Sequence, residues 1–208
     1  VHKMCYQDAP KHGNDIPEVN AMLRRVNDSI LTAFNKVDGG GIYISKDIKT
    51  SLDQYTKSVH NLMGMVTGAL PTGKKAGVAL TDGSLSAMPG TDVNGPTALV
   101  MSAAKGNDHV KWCATHMNMK LPPEQLKSRK GRDSVMNLVR TLFANEGYHI
   151  QFNVLDTAKL RDAQKHPENY RDLVVRVAGF SAFFTKLHKG VQDELIERTL
   201  QSFDGPKC

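Results

Sequence analysis

Along IPEVNAMLRRVNDSILTAFNKV the apolar residues Val19, Met22, Leu23, Val26, Ile30, Phe34 and Val37 fall three or four positions apart, the spacing of one face of a helix. This predicts an amphipathic helix with Pro17 in its first turn, closed by Gly39, Gly40 and Gly41. Residues 42–92 lose that period and gain glycine, threonine and β-branched residues, which predicts loop-dominated structure. Within them SVHNLMGMVTGALPTGKKAG reads as a strand running into a tight turn at Pro71 to Gly73. In GTDVNGPTALVMSAAK, Pro96 is expected at the first helical position with Asn94 or Gly95 near the cap. Such a helix aims free N–H groups at whatever precedes it, so it is either a plain helix start or a place for an anionic substrate group.

Val135, Leu138, Val139, Leu142 and Phe143 mark a second amphipathic helix. HIQFNV alternates Ile150, Phe152 and Val154 with His149, Gln151 and Asn153, a half-buried strand. TAKLRDAQ predicts a short helix and LVVRVAG a strand. GVQDELIERTLQSF predicts a terminal helix using Val191, Leu195, Leu200 and Phe203, with Asp193 and Glu194 in its first turn. Strand, helix, strand, loop, helix is an α/β order.

Composition adjusts this picture only slightly. The 208 residues are 40% hydrophobic and 23% charged, a globular balance. The formal charge of +6 raises nucleic acid as a partner, but the one dense basic cluster, LKSRKGRDS, has no interleaved aromatics and reads as a solvated approach to a helix. No nucleic-acid partner is expected. Cys5, Cys113 and Cys208 are widely spaced and form no CxxC pair, so neither disulfides nor a zinc site is expected and a reducing, cytoplasmic setting is. The histidines show no HxxxH spacing, and TGKKAG has the lysines of a phosphate loop without its glycines. No apolar run reaches the ~18 residues of a membrane span, and the N-terminus lacks signal-peptide organisation. The start at Val1 leads us to expect a fragment, a cleavage product or one piece of a larger catalytic unit.

The stretch DLVVRVAGFSAFF poses a chemical question, because Gly179 interrupts strand-forming residues that it can only weaken. One answer is conformational: a buried bend that needs φ > 0. The other is specific to a glycine Cα. Loss of one hydrogen leaves a carbon radical between an amide nitrogen that donates electron density and a carbonyl that withdraws it, with no Cβ to prevent planarity. Such a radical needs shelter from water and dioxygen, for which Val174, Val175, Val177, Ala178, Phe180, Phe183 and Phe184 are the candidates. Arg176 lies on the same apolar strand, so its charge is expected to have a partner and to hold the loop.

RVAGFSAFF at 176–184, followed by VQDELIERT at 191–199, resembles the C-terminal signature of the glycyl radical enzymes. HIQFNV, DAQKHPENYRDLVVRVAGF, GTDVNGPTALV and APKHGND resemble further segments of that family in its order, so the resemblance extends over nearly the whole chain. It implies the C-terminal part of a ten-stranded α/β barrel, with residues 1–80 ending the barrel and 81–208 forming a glycyl radical domain. It also implies that Gly179 is the catalytic radical residue. A separate activating enzyme, a radical S-adenosylmethionine iron–sulfur protein, would remove its hydrogen, and no bound organic cofactor would be needed during turnover. The stored radical would oxidise a cysteine to a thiyl on the rest of the barrel, which attacks a small-molecule substrate, in a complete enzyme expected to be a homodimer. Nothing here resembles the family's cysteine loop, and Cys5 and Cys113 read as small apolar residues.

The resemblance implies an anaerobic lyase that cleaves or forms a C–C, C–N, C–O or C–S bond. We expect an eliminating enzyme, with a fumarate-adding alkyl- or arylsuccinate synthase or a stand-alone replacement radical module as alternatives. A glutamate two residues after the thiyl cysteine would mark an eliminating or decarboxylating enzyme. Oxygen is expected to cut the activated chain at Gly179, releasing Phe180 to Cys208.

Overall fold

The computed structural model describes residues 3–36, 52–53, 59–112 and 114–203. Helix α1 (Pro17–Lys36) begins at the expected proline, but its buried positions are Asn20, Asn27 and Leu31. Met22, Val26 and Ile30 are exposed. The buried stripe faces α3 (Gly95–Gly106), where Asn27 donates to the Asn107 side chain at 2.6 Å and Arg24 to Asp108 at 2.6 Å. Polar pairs therefore do part of the work assigned to the apolar stripe. The predicted closure at Gly39 to Gly41 and Val37 lies outside the described residues, as do Cys113 and Cys208.

The strand expected before Pro71 is instead a helix, α2 (Val59–Val66). His60 and Gly64, one turn apart, are its buried positions, and Leu62, Met63 and Met65 beside them are good helix formers. The turn that follows is as expected, with Gly73 N–H donating to Leu70 O at 3.1 Å. Lys74, in the would-be phosphate loop, is buried and donates to the carbonyls of Gly64, Thr67 and Lys75. Its ammonium thus gives a second donor to carbonyls at the end of α2 and in the turn that follows, each of which also accepts a backbone N–H.

Strand β1 (Met117–Leu121), which the sequence pattern did not reveal, is buried at all five positions. It runs through α4 (Pro123–Lys127) and α5 (Arg129–Ala144) to β2 (Ile150–Val154), and β1 and β2 pair in parallel. The basic cluster is the start of α5: Ser128 caps it by accepting from Gly131 N, while Arg129 stands in solvent. Leu138 and Leu142 of α5 pack with Leu99, Val100 and Ala103 of α3 and with Met117, Met119 and Leu121 of β1.

After β2 come α6 (Thr157–Lys165), capped by Asp156, and a hairpin of β3 (Val174–Arg176) and β4 (Ser181–Phe183). Helix α7 (Lys189–Glu197) packs on α6. It is shorter than expected: Leu200 lies beyond it and forms a parallel bridge with Lys120. Because the helix begins at Lys189, Asp193 and Glu194 sit in its interior rather than its first turn. Helix α7 stops because the chain must turn to lie beside β1, where Gln201 N–H donates to Lys120 O at 2.9 Å. A second core, of Leu160, Ala163, Val175, Val177, Phe184 and Leu195, joins α6, the hairpin and α7. Among the described residues no helix is long and apolar enough to cross a membrane.

Candidate functional site: a glycine at a hairpin tip

The hairpin register pairs Arg176 with Ser181, and Val177 N–H donates to Phe180 O at 2.9 Å, so Ala178 and Gly179 form a two-residue turn. Gly179 takes φ +76, a left-handed conformation that favours glycine, while Ala178 has no positive φ. The conformational reason for a glycine is therefore present. Val175, Val177, Ala178 and Phe184 are buried as expected of a shelter. Val174, Phe180 and Phe183 are not: they form an exposed apolar rim, and Gly179 itself is exposed in this chain. In a hairpin, alternate side chains point to opposite faces, so only half of the flanking residues can face the α6–α7 core.

Strand β2 holds the hairpin through its polar face. Gln151 and Asn153 are more deeply buried than Ile150, Phe152 and Val154, so the alternation read from the sequence is real but both faces are in use. Asn153 donates to the Arg176 carbonyl at 2.7 Å and accepts the Arg176 N–H at 3.1 Å, behaving as one more rung of a sheet. Gln151 Oε1 accepts from Gly179 N–H at 3.2 Å and from Arg176 Nε at 3.0 Å. Arg176 also reaches Ser181 Oγ at 3.2 Å, so the expectation that it holds the loop is met by named partners.

Behind Gln151 the polar contacts continue inward. Gln151 Nε2 donates to Asn118 Oδ1 at 2.9 Å, its neighbour in the parallel register, and Asn118 Nδ2 donates to Asp82 Oδ2 at 2.9 Å. Arg198 lies 3.0 Å from the same Asp82 oxygen and forks onto Glu194 at 2.6 and 3.0 Å, with every side chain nearly inaccessible. His60 of α2 stands 3.5 Å from Glu194. Burial alone would push the Glu194 carboxyl up, but the His60 hydrogen bond and the Arg198 charge together hold it below the usual range. Burial pushes Asp92 up to about 6, against opposing hydrogen bonds from Thr199 and Gln201. Burial, with Arg198 and Arg161 nearby, pushes Lys120 down to about 8, and its Nζ donates to the Ile196 carbonyl at 2.8 Å at the end of α7.

Of the remaining candidates, Cys5 is unpaired and partly buried, and no His, Cys, Asp or Glu group suited to a metal occurs among the described residues. The segment leading into α3 is held from outside the helix: Val93 and Asn94 N–H both donate to Asn14 Oδ1, at 2.8 and 3.0 Å, while no side chain caps the helix itself. That asparagine is delivered by Gly13, whose φ is +97 and whose missing Cβ would stand 2.8 Å from both Ala87 and Asp92. The network residues Gln151, Asn118, Asp82, Glu194 and Arg198 were not singled out from the sequence. Their signal was the polar set in HIQFNV, which repeats at the same period of two in MNMKL as Asn118 and Lys120.

The glycine radical family model matches residues 81–185, a segment that contains the whole hairpin. The chain belongs to the glycine radical family. This glycine radical chain is 51% identical over 194 residues to an indoleacetate decarboxylase from Tractidigestivibacter scatoligenes, covering 92% of this chain and 21% of that protein. It is 38% identical over 194 residues to a trans-4-hydroxy-L-proline dehydratase from Clostridioides difficile, covering 93% of this chain and 24% of that one. In structure it resembles a glycerol-bound glycerol dehydratase from Clostridium butyricum, with a TM-score of 0.87, 38% identity and coverage of 98% of this chain and 25% of that chain. The chain thus spans about a quarter or less of the length of the relatives it matches.

Proposed function

We propose that this chain is the radical-carrying portion of an anaerobic glycyl radical enzyme and that Gly179 stores the radical. The observation that carries the reading is the placement of Gly179. It lies in the family-matched segment, at the tip of a two-residue turn, with its N–H held by Gln151. A separate radical S-adenosylmethionine iron–sulfur enzyme takes a hydrogen atom from Gly179 Cα, leaving the unpaired electron on that carbon. When the radical is used, Gly179 Cα regains a hydrogen atom from a cysteine S–H elsewhere in the barrel, and the thiyl left behind starts the reaction on a small-molecule substrate. Val174, Phe180 and Phe183 form the surface that the rest of the barrel covers, completing the shelter around Gly179. The family match beginning at residue 81 supports a division there between barrel end and radical domain.

For the whole protein, the higher identity to the indoleacetate decarboxylase favours a lyase that releases CO2 from an arylacetate and leaves the methyl arene. The eliminating enzyme on a small polar substrate is the second reading, favoured by the fold likeness to glycerol dehydratase. A cytoplasmic homodimer is the assembly in which we place it.

The test uses the complete protein activated without oxygen. Electron paramagnetic resonance is expected to show a doublet from one α-hydrogen, which becomes a singlet in protein labelled with α-deuterated glycine and is missing in Gly179→Ala. A doublet that persists in Gly179→Ala overturns the assignment. Methylindole and CO2 formed from indoleacetate would support the decarboxylase reading, and turnover of a diol or hydroxyproline with none of indoleacetate would replace it with elimination.

A further inference from the structure

The polar chain that ends at Gly179 has a direction. Asp82 carries only acceptors when ionised, so Asn118 must turn its NH2 toward it, and Asn118 Nδ2 lies 2.9 Å from Asp82 Oδ2 and 3.2 Å from the Asp82 carbonyl. The Asn118 carbonyl then faces Gln151, which must answer with its own NH2, and does so at 2.9 Å. Gln151 Oε1 is left facing outward, where Gly179 N–H and Arg176 Nε both donate to it. Which end of a side-chain amide is oxygen is ordinarily fixed by its surroundings, and here one buried carboxylate fixes two amides in series. Gln151 and Asn118 are each 6% exposed, so water is a poor substitute for any link.

We propose that Gln151 is the positioning residue for the radical glycine, its amide set by Asn118 and Asp82 so that an oxygen always meets the Gly179 N–H. An acceptor on that N–H does two things. It fixes the amide plane of the turn, and it polarises the N–H bond so that the nitrogen donates more strongly to the adjacent α-carbon. That carbon is the centre whose unpaired electron is stabilised by nitrogen donation. Arg176 shares the acceptor and ties the same oxygen to the strand on which the turn stands. The proposal rests on reading Gly179 as the storage site.

The experiment uses the complete protein, activated without oxygen after labelling with 15N-glycine, and reads the 15N hyperfine splitting and the lifetime of the radical. Gln151→Leu is expected to change the splitting and to shorten the lifetime about fivefold, the order set by losing one net hydrogen bond. Gln151→Glu combined with Asp82→Asn reverses the chain, so that Asn118 can turn its NH2 to the carboxylate now at position 151 and its oxygen to the amide now at position 82, while an acceptor still meets the Gly179 N–H. This double variant is expected to keep a splitting close to the wild type, which leaves the proposal testable if the leucine variant does not fold. Asn153→Ala loosens the hairpin without touching the Gly179 N–H and is expected to leave the splitting unchanged. Wild-type splitting and lifetime in folded Gln151→Leu, a leucine-like change in the Gln151→Glu, Asp82→Asn double variant, or an equal change in Asn153→Ala each overturns it. If the wild type shows no glycine-derived doublet, the storage reading falls first and this proposal falls with it.

Discussion

The two strand pairs of this chain are held in opposite ways. β1 and β2 form a parallel pair in which β1 is buried at every position, packed by α3 and α5 through Leu99, Val100, Leu138 and Leu142. The hairpin of β3 and β4 buries Val175 within its strands and Val177, Ala178 and Phe184 just beyond them, and exposes Val174 and Phe183 at 52% and 48%. Its attachment to β2 is polar, through Asn153, Gln151 and Arg176. A parallel pair needs cover on both faces, and an antiparallel hairpin does not. The comparison teaches that the scaffold is fixed by apolar burial, whereas the position of the glycine turn is fixed by directional hydrogen bonds.

Breaking the charge cluster that links the two regions is expected to cost most. Arg198→Leu leaves Asp82 and Glu194 buried without their cation and is expected to lose about 3–5 kcal/mol, measured by urea denaturation with hydrogen exchange across α7 and β1. Leu142→Ala in the scaffold is expected to lose about 2–5 kcal/mol, while Phe183→Ala, half exposed in the hairpin, loses under about 1 kcal/mol in this chain; equal losses would erase the comparison.

Asp92 sharpens it through pH. Its carboxyl is raised from 3.8 to about 6, so between those values the folded state keeps a proton that the unfolded state has lost, and stability falls as pH rises. The full effect, about 3 kcal/mol above that window, is expected to vanish in Asp92→Asn when urea midpoints are followed from about pH 4 to about pH 7. Glu194 works in the opposite sense: its lowered pKa contributes stability present above the unfolded value and lost as pH falls through the folded one. The most local expected effect is that of Asn153→Leu, which leaves the Arg176 N–H and carbonyl without their side-chain partner and costs about 1–3 kcal/mol, read as faster hydrogen exchange confined to the hairpin.

These contrasts also mark what the sequence made legible. Helices α1, α3, α5 and α6 carry strong periods or proline and capping signals, and each lies where expected, with α3 starting one residue earlier at Gly95. MNMKL was missed because asparagine and lysine are poor strand formers and methionine favours helices, and only burial on both sides makes them a strand. Lys120 and Asn118 look solvent-facing in sequence, yet both are buried because backbone carbonyls and Asp82 lie within reach. Leu200 and Phe203 continued a plausible helical period past Glu197, and only the competing bridge to Lys120 ended it. The bend at Gly179 was legible because a glycine interrupting a strand pattern is conspicuous, whereas its partner Gln151 was not, since one polar residue in an alternating strand resembles any other.

The way the segment after the turn is fastened bears on damage. Phe180 onward contributes β4 to the hairpin ladder, Leu195 to the second core, the Glu194 and Arg198 charges to a buried cluster, and Gln201 to the edge of β1. A nick at Gly179 would sever one peptide bond and none of these. The clipped protein would therefore elute as an intact particle, betraying the scission only after denaturation, and a broken molecule would go on occupying the place of a working one.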